Sequence, residues 1–333
     1  MKKYTVYAIG AALVDTEIEV SDAELDAMRV EKGMMTLVDQ ARQTELLNHL
    51  TDHMVRASHA SGGSAGNSMI ATALFGAPTY MSCKVASDFD GDIYLNDLEQ
   101  CGVSHGHTEG RQDGTTGKCL VMITPDAERS MNTYLGVSEA LSVNEVDPEA
   151  IAASEWIYLE GYLVTSPTGH TAALRTRDIA RVAGVKIAVS FSDPGMVAHF
   201  RENMEALVEG EIDLVFCNSA EAMEWAGTET TEDAFEALKS VAKTFVITRG
   251  AEGAWAWDGN TWHDVPAHKV KAVNTNGAGD MFAGAFLYAL SRGEDYRRAT
   301  EFAVRAAGEV VQYFGPRLKA DACRALREEF FGD

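Results

Sequence analysis

Basic residues are scarce in this chain: 28 lysines and arginines stand against 50 aspartates and glutamates, a formal net charge of −22. A surface this acidic repels nucleic acid and anionic lipid at long range, so neither is expected as a partner. An anionic substrate would need local backbone amides and a divalent cation to be held here. Long apolar runs are missing too. No stretch approaches the roughly 18 apolar residues that a membrane-spanning helix requires. The opening "MKKYTVYAIGAALVDTEIEV" turns apolar after two lysines, but Asp15, Glu17 and Glu19 follow at once. A strand is expected there, not a signal peptide. The five cysteines (Cys83, Cys101, Cys119, Cys217, Cys323) lie far apart without a C-x-x-C pair. That spacing speaks against a zinc site or a disulfide framework and fits a reducing cytoplasm. The nine histidines form no metal-ligand pattern, and His105-Gly106-His107 reads as a surface loop.

No internal repeat, low-complexity segment or Pro/Gly/Ser linker divides the chain. With 333 residues and 46% apolar content it can bury a sizeable core, and a single domain over 1–333 is expected. Short apolar runs alternate with amphipathic helical patterns. The runs 4–10, 156–161, 186–191, 213–218 and 244–250 read as buried strands, each ending at a polar residue or glycine. Helices are expected over 64–75, 168–184 and 231–242. Strand–helix–strand order predicts an α/β fold, a doubly wound and mostly parallel sheet flanked by helices. Two regions break the pattern. "DTEIEVSD" (15–22) alternates acidic and apolar residues, as in a sheet open to solvent on one face. The stretch 115–136 reads as two strands around the turn "TPDAER". Both look like parts of a small β-sheet lid, with inserts at approximately 14–38 and 103–137, placed to close over the carboxyl ends of the main strands.

Gly277-Ala278-Gly279-Asp280 puts glycines at a helix start, where backbone N–H groups and the helix dipole favour an anion. Asp280 in that first turn could take a proton from an attacking hydroxyl, or simply cap the helix. No Gly-Lys-Ser/Thr follows, so this is not a Walker A loop. "HASGGSAGNSM" (59–69) is a second glycine turn entering a helix. Asn218 and Glu221 sit three apart after a strand, the spacing of a capping box and equally of two oxygen groups near a hydrated magnesium ion. "TRGAEGAWAW" (248–257) is a glycine-spaced turn between β-like runs. The first turn, "AIGAALVD", lacks the G-x-G-x-x-G of a dinucleotide-binding fold.

Taken together, these stretches resemble the ribokinase-like (PfkB-type) sugar and nucleoside kinases. "NTNGAGDMFAGAFL" is similar to that family's C-terminal signature, "NSAEA" to its N-x-x-E element, "KVASDFDGDIYLNDLEQCGV" (84–103) to its N-terminal signature, and "GGSAGN" to its substrate-side glycine pair. The order and spacing agree from about residue 4 to residue 318. Within the family, "GGSAGNSM", the 115–136 flap, "LEGYLVTSP" (159–167) and a long helical insert over 33–50 resemble the adenosine kinase branch.

The resemblance implies an ATP- and Mg²⁺-dependent phosphotransferase acting on a nucleoside, adenosine first, with a free sugar (ribose, fructose or a keto-deoxy sugar acid) as the alternative acceptor. It implies Asp280 as general base, with Gly277, Ala278 and Gly279 supplying amides to the transferring phosphate. Asp15 would bind two ring hydroxyls with Gly62, Gly63 and Asn67, while Tyr162 and Leu163 wall the base. Asn218 and Glu221 would hold Mg²⁺ through water, and Thr248, Gly250 and Gly253 would lie along the ATP site. A monomer or homodimer is implied. Two positions depart from the pattern. Asn274 replaces an acid that helps hold a monovalent cation, so K⁺ dependence is expected to be weak or absent. Ala11 replaces an Asn that follows the first-strand glycine in adenosine kinases, removing a polar contact on the substrate side.

Overall fold

The computed structural model describes residues 2–50, 58–106 and 111–332. His107 therefore lies outside the described residues, as does part of the expected second insert. The described strands are β1 (Tyr4–Ile9), β2 (Leu13–Glu19), β3 (Met35–Leu37), β4 (Ser58–Gly62), β5 (Thr79–Ser82), β6 (Val103–His105), β7 (Gly117–Ile123), β8 (Arg129–Tyr134), β9 (Ser154–Glu160), β10 (Lys186–Ser190), β11 (Leu214–Asn218), β12 (Thr244–Thr248), β13 (Ala254–Trp257) and β14 (Trp262–Val265). Nine of them form one sheet in the order β14-β13-β12-β11-β10-β9-β1-β5-β6. Pairing is parallel from β6 to β12 and antiparallel for β13 and β14 at the far edge.

Both faces of this sheet are covered, which is why its strands read as unbroken apolar runs. In β1, Val6 and Ala8 pack into one core cluster, with helices Ser64–Phe75, Ala278–Ser291 and Tyr296–Val310. Tyr7 and Ile9 pack into the opposite cluster, under helices Pro167–Ala183 and Thr231–Leu238. Fully buried Phe75, Phe286 and Phe302 anchor the first layer, each worth roughly 1.5–3 kcal/mol of burial. The chain winds one way from β1 to β5 and β6 and the other way from β9 onward. The crevice at the carboxyl ends of β1 and β9 is therefore the switch point where open α/β sheets hold ligands.

Five strands make the small sheet, in the order β3-β8-β7-β2-β4. The expected pair around "TPDAER" is β7 and β8, joined antiparallel. Three features differ from the sequence reading. The stretch 33–50 is not one long helix, because Met35–Leu37 pairs with β8 before helix Gln40–His49 begins at its Asp39 cap. Val103–His105 pairs with β5 as the edge of the large sheet, so His105 closes a strand and does not sit in a loop. Two of the three acidic residues of β2 do not face solvent, and only Glu19 at its end does. Asp15 is 6% exposed and Glu17 4%, because their face is turned into the cleft against the 274–277 and 311–316 loops. Alternation reveals which residues share a face, and only packing decides what that face meets.

Candidate active site

Most helices here start at a side-chain cap: Ser21, Asp88, Ser166, Asn218 and Asp295 each accept a first-turn amide. The two that meet at the crevice do not. Helix Ser64–Phe75 starts at Gly63 (φ +83°) and helix Ala278–Ser291 at Gly277 (φ +74°), neither with a capping side chain. Glycine is required at both, since a Cβ would lie 2.3 Å from the Ala11 carbonyl oxygen at Gly63 and 2.0 Å from that of Pro316 at Gly277. In helix Ala278–Ser291 the first-turn amides have no side-chain partner and remain available to an anion, whereas Ala65 N of the other helix is held by Glu160 Oε2 at 2.7 Å.

Asp280 does not cap its own helix. Its carboxylate accepts from Ser64 Oγ at 2.7 Å and from Asn67 Nδ2 at 3.1 Å, joining two glycine turns more than 200 residues apart. Burial raises its pKa above the ordinary 3.8, while those two bonds and the Arg129 charge oppose the rise. Asn67 Oδ1 is buried with no partner among the described residues. The Asp15 carboxylate likewise receives no hydrogen bond from a described residue and packs against bare Gly62, where a Cβ would fall 2.0 Å from Oδ1. Burial, and next the Glu17 charge, push Asp15 up to about 8, against the pull of Arg317.

These groups line one cavity of about 830 Å³. Of the residues singled out in the sequence, Asp280, Gly277, Ala278, Gly279, Asp15, Gly63, Asn67, Tyr162 and Leu163 all face it. So do Asn218, Glu221, Thr248, Gly250 and Gly253. Gly62 does not, and stands behind Asp15. Gly253 (φ +102°) also closes the turn from β12 into β13, with space for no side chain beside the Val265 carbonyl of β14. Asn218 and Glu221 form the reciprocal capping box and, at the same time, border the cavity. Burial pushes Glu221 up to about 7, with the Asn218 amide opposing, Asp193 adding to the rise and Arg129 reducing it. No group of three or more His, Cys, Asp or Glu among the described residues could hold a metal unaided. A buried carboxylate beside an Asn fits a cation that arrives hydrated and already bound to phosphate oxygens.

Sequence reasoning missed two cleft residues and one charge behind the cleft. Arg129 begins β8 and faces the cavity, with Nη1 at 3.5 Å from Thr275 Oγ1 and a buried Nε without a partner among the described residues. Its clue was a cation after a turn in an acidic chain. Glu160 ends β9 at the switch point, accepting from Ala11 N at 2.8 Å and Ala65 N at 2.7 Å, and burial pushes it up to about 7. Arg317 bonds Asp97 at 2.7 Å and Ser61 Oγ at 3.1 Å behind Asp15, and nothing in the local sequence marks it.

This fold, with a glycine-cradled helix start, a carboxylate at its third position and a facing acid on a small sheet, defines an ATP-dependent kinase. The chain belongs to the pfkB family of carbohydrate kinases, whose profile matches residues 33–323. It is similar to the adenosine kinase of Sinorhizobium meliloti, at 33% identity and a TM-score of 0.92 over 98% of this chain and 99% of that one. It is similar also to a "probable sugar kinase protein" of Rhizobium etli CFN 42, at 31% identity and a TM-score of 0.93 over 99% of both chains. In sequence it is 26% identical to the adenosine kinase of Schizophyllum commune, over 96% of this chain and 98% of that protein. Among the described residues no helix is long and apolar enough to cross a membrane.

Proposed function

We propose that this kinase transfers the γ-phosphoryl group of ATP to the 5′-hydroxyl of a nucleoside, adenosine first. The observation that carries this reading is the unpartnered Asp15 carboxylate facing the same cavity as Asp280. An ionised carboxylate with both oxygens free suits a vicinal diol, and Asn67 Oδ1 offers a further acceptor. A bare sugar would need little more. The cavity, however, continues along an apolar wall of Leu13, Met131, Leu135 and Leu163 beside Tyr162, which suits a flat base.

Asp280, held by Ser64 and Asn67 and raised toward the working pH, takes the proton from the attacking hydroxyl. The uncapped amides at Gly277–Gly279 and the Arg129 guanidinium receive the negative charge of the transferring group. Asn218 and Glu221 would hold a Mg²⁺ ion that arrives on the nucleotide, and that ion would supply further charge neutralisation. The small sheet excludes water from the cleft and so protects ATP from hydrolysis. Thr248, Gly250 and Gly253 border the space left for the nucleotide. Potassium dependence is proposed to be weak, because Asn274 holds no charge.

A panel of nucleosides and free sugars assayed with ATP–Mg²⁺, with and without K⁺, tests the reading. Burying roughly 100–150 Å² of base at ~25 cal/mol per Å² gives ~3 kcal/mol, so a nucleoside should exceed ribose by ~10²-fold in kcat/KM. Turnover of hexoses alone would sink it. A free-sugar acceptor is the second reading, favoured by Glu160, which adds another carboxylate to the cavity wall beside Ala11.

The pH dependence follows from Asp15. Its ionised form accepts substrate hydroxyls, so KM for the acceptor is expected to fall as pH rises through about 8 and to level off only well above it. Folding stability runs the other way. Folded Asp15 keeps its proton up to about 8, whereas the unfolded chain releases it near 3.8. The folded state thus binds more protons across that window, and stability declines as pH rises through it. Asp15→Asn should remove the KM trend and reduce the stability trend to the part that Glu160 and Glu221, both pushed up to about 7, contribute. Melting curves and acceptor KM values at pH 6, 7 and 8 check them, and identical profiles in the variant would dismiss Asp15 as their source.

A further inference from the structure

Glu17 is a buried carboxylate to which the kinase mechanism gives no part. Glu17 lies two residues beyond Asp15 on β2 and so on the same face of the small sheet. Its Oε1 accepts from Asn274 Nδ2 at 3.1 Å and Asn276 Nδ2 at 2.9 Å, and its Oε2 accepts from Gly315 N at 2.7 Å. All three side chains are buried: Glu17 is 4% exposed, Asn274 0% and Asn276 7%. Asn276 N in turn donates to Asn274 Oδ1 at 2.9 Å, and Asn274 N donates to Val311 O at 3.1 Å. One carboxylate therefore joins β2, the loop leading to Gly277, and the 311–316 loop. The last of these contains the Pro316 carbonyl that confines Gly277. A second contact holds the same loop to the small sheet, since Thr275 Oγ1 donates to Ala127 O at 3.2 Å in the β7–β8 turn.

Every donor reaching Glu17 is neutral, and both of its carboxylate oxygens are bonded, which is how a buried charge is tolerated. Asn274 suits that environment because it brings an N–H. An acid at the same position would place two carboxylates within hydrogen-bond distance.

We propose that Glu17 is a positioning residue for phosphoryl transfer: it fastens the loop before Gly277 to the strand that carries Asp15, so that the strand seating the acceptor also sets the amides that receive the phosphate. Asn274 is its matched donor. This inference rests on the reading of Asp15 and the Gly277–Gly279 amides given above.

The test is a charge exchange. Asn274→Asp sets carboxylate against carboxylate, and Glu17→Gln removes an acceptor, whereas the double variant Glu17→Gln/Asn274→Asp restores one donor–acceptor pair in reverse. Charge-assisted bonds at 1.5–3 kcal/mol imply effects of about tenfold or more. Amide hydrogen exchange of the ligand-free protein over residues 273–281 is expected to speed up at least ~10-fold in each single variant and to slow again in the double. With adenosine and ATP–Mg²⁺, kcat should fall at least ~10-fold in each single variant while acceptor KM stays within about twofold, and the double should recover kcat. Should Asn274→Asp fail to fold, Glu17→Gln alone decides through the same two measurements. Unchanged exchange over 273–281 in Glu17→Gln, or a double variant whose losses simply add, would overturn the proposal. Because exchange needs no substrate, it fails or succeeds separately from the nucleoside reading, which the substrate panel judges.

Discussion

Asp280→Asn is expected to lower kcat by at least ~10²-fold, the usual scale for a lost general base, and to leave acceptor binding nearly intact. The variant keeps the shape of the site. The carbonyl oxygen of the introduced amide still accepts from Ser64, and the unpartnered Asn67 Oδ1 can turn to meet its NH₂ group. What disappears is the carboxylate on that helix start able to take the hydroxyl proton. Steady-state kinetics with calorimetry separate the two quantities. A kcat near that of the wild type would remove Asp280 from the role of base and return it to a structural link between the two glycine turns.

The second large effect is expected at Asp15. Asp15→Ala removes two charge-assisted hydrogen bonds to the acceptor, each worth about 1.5–3 kcal/mol, so kcat/KM should fall by ~10²-fold or more. ATP affinity should change little, because the side of the cavity proposed for the nucleotide is built from β11, β12 and the 250–253 turn. Gly62→Ala should reproduce part of this loss without touching the carboxylate. Its Cβ would occupy the place of Asp15 Oδ1, 2.0 Å away, and push the acid off its seat. Equal loss of affinity for both ligands in calorimetry would count against Asp15 as the acceptor's ligand.

Much of the architecture was legible beforehand because it is local. Helix 64–75 agrees with the structure at both ends, since a glycine turn starts it and Gly76 in the left-handed region ends it. The strands at 4–10 and 244–250 end one and two residues earlier than expected, at Ile9 and Thr248. The insert at 33–50 misled because Met35–Leu37 is a three-residue strand whose identity depends wholly on its partner β8.

The site divides in the same way. Gly277, Asp280, Gly63, Asn67 and Asp15 could be picked from the sequence because turns into helices and acids after strands leave local marks. Whether Asp280 was a cap or a free base could not be decided there, since both readings use one helix start. Tertiary contact decided the geometry: Gly277 takes the cap position, and Ser64 and Asn67, from another helix, turn the carboxylate into the cavity. Glu160 and Arg317 became visible only through packing, for a lone charge in sequence carries no sign of what it will face. Asn274 is the clearest case. By itself it is a departure from a signature, a missing charge. In the fold, Glu17 brings that charge from 257 residues away, and the amide at 274 is what a buried carboxylate requires.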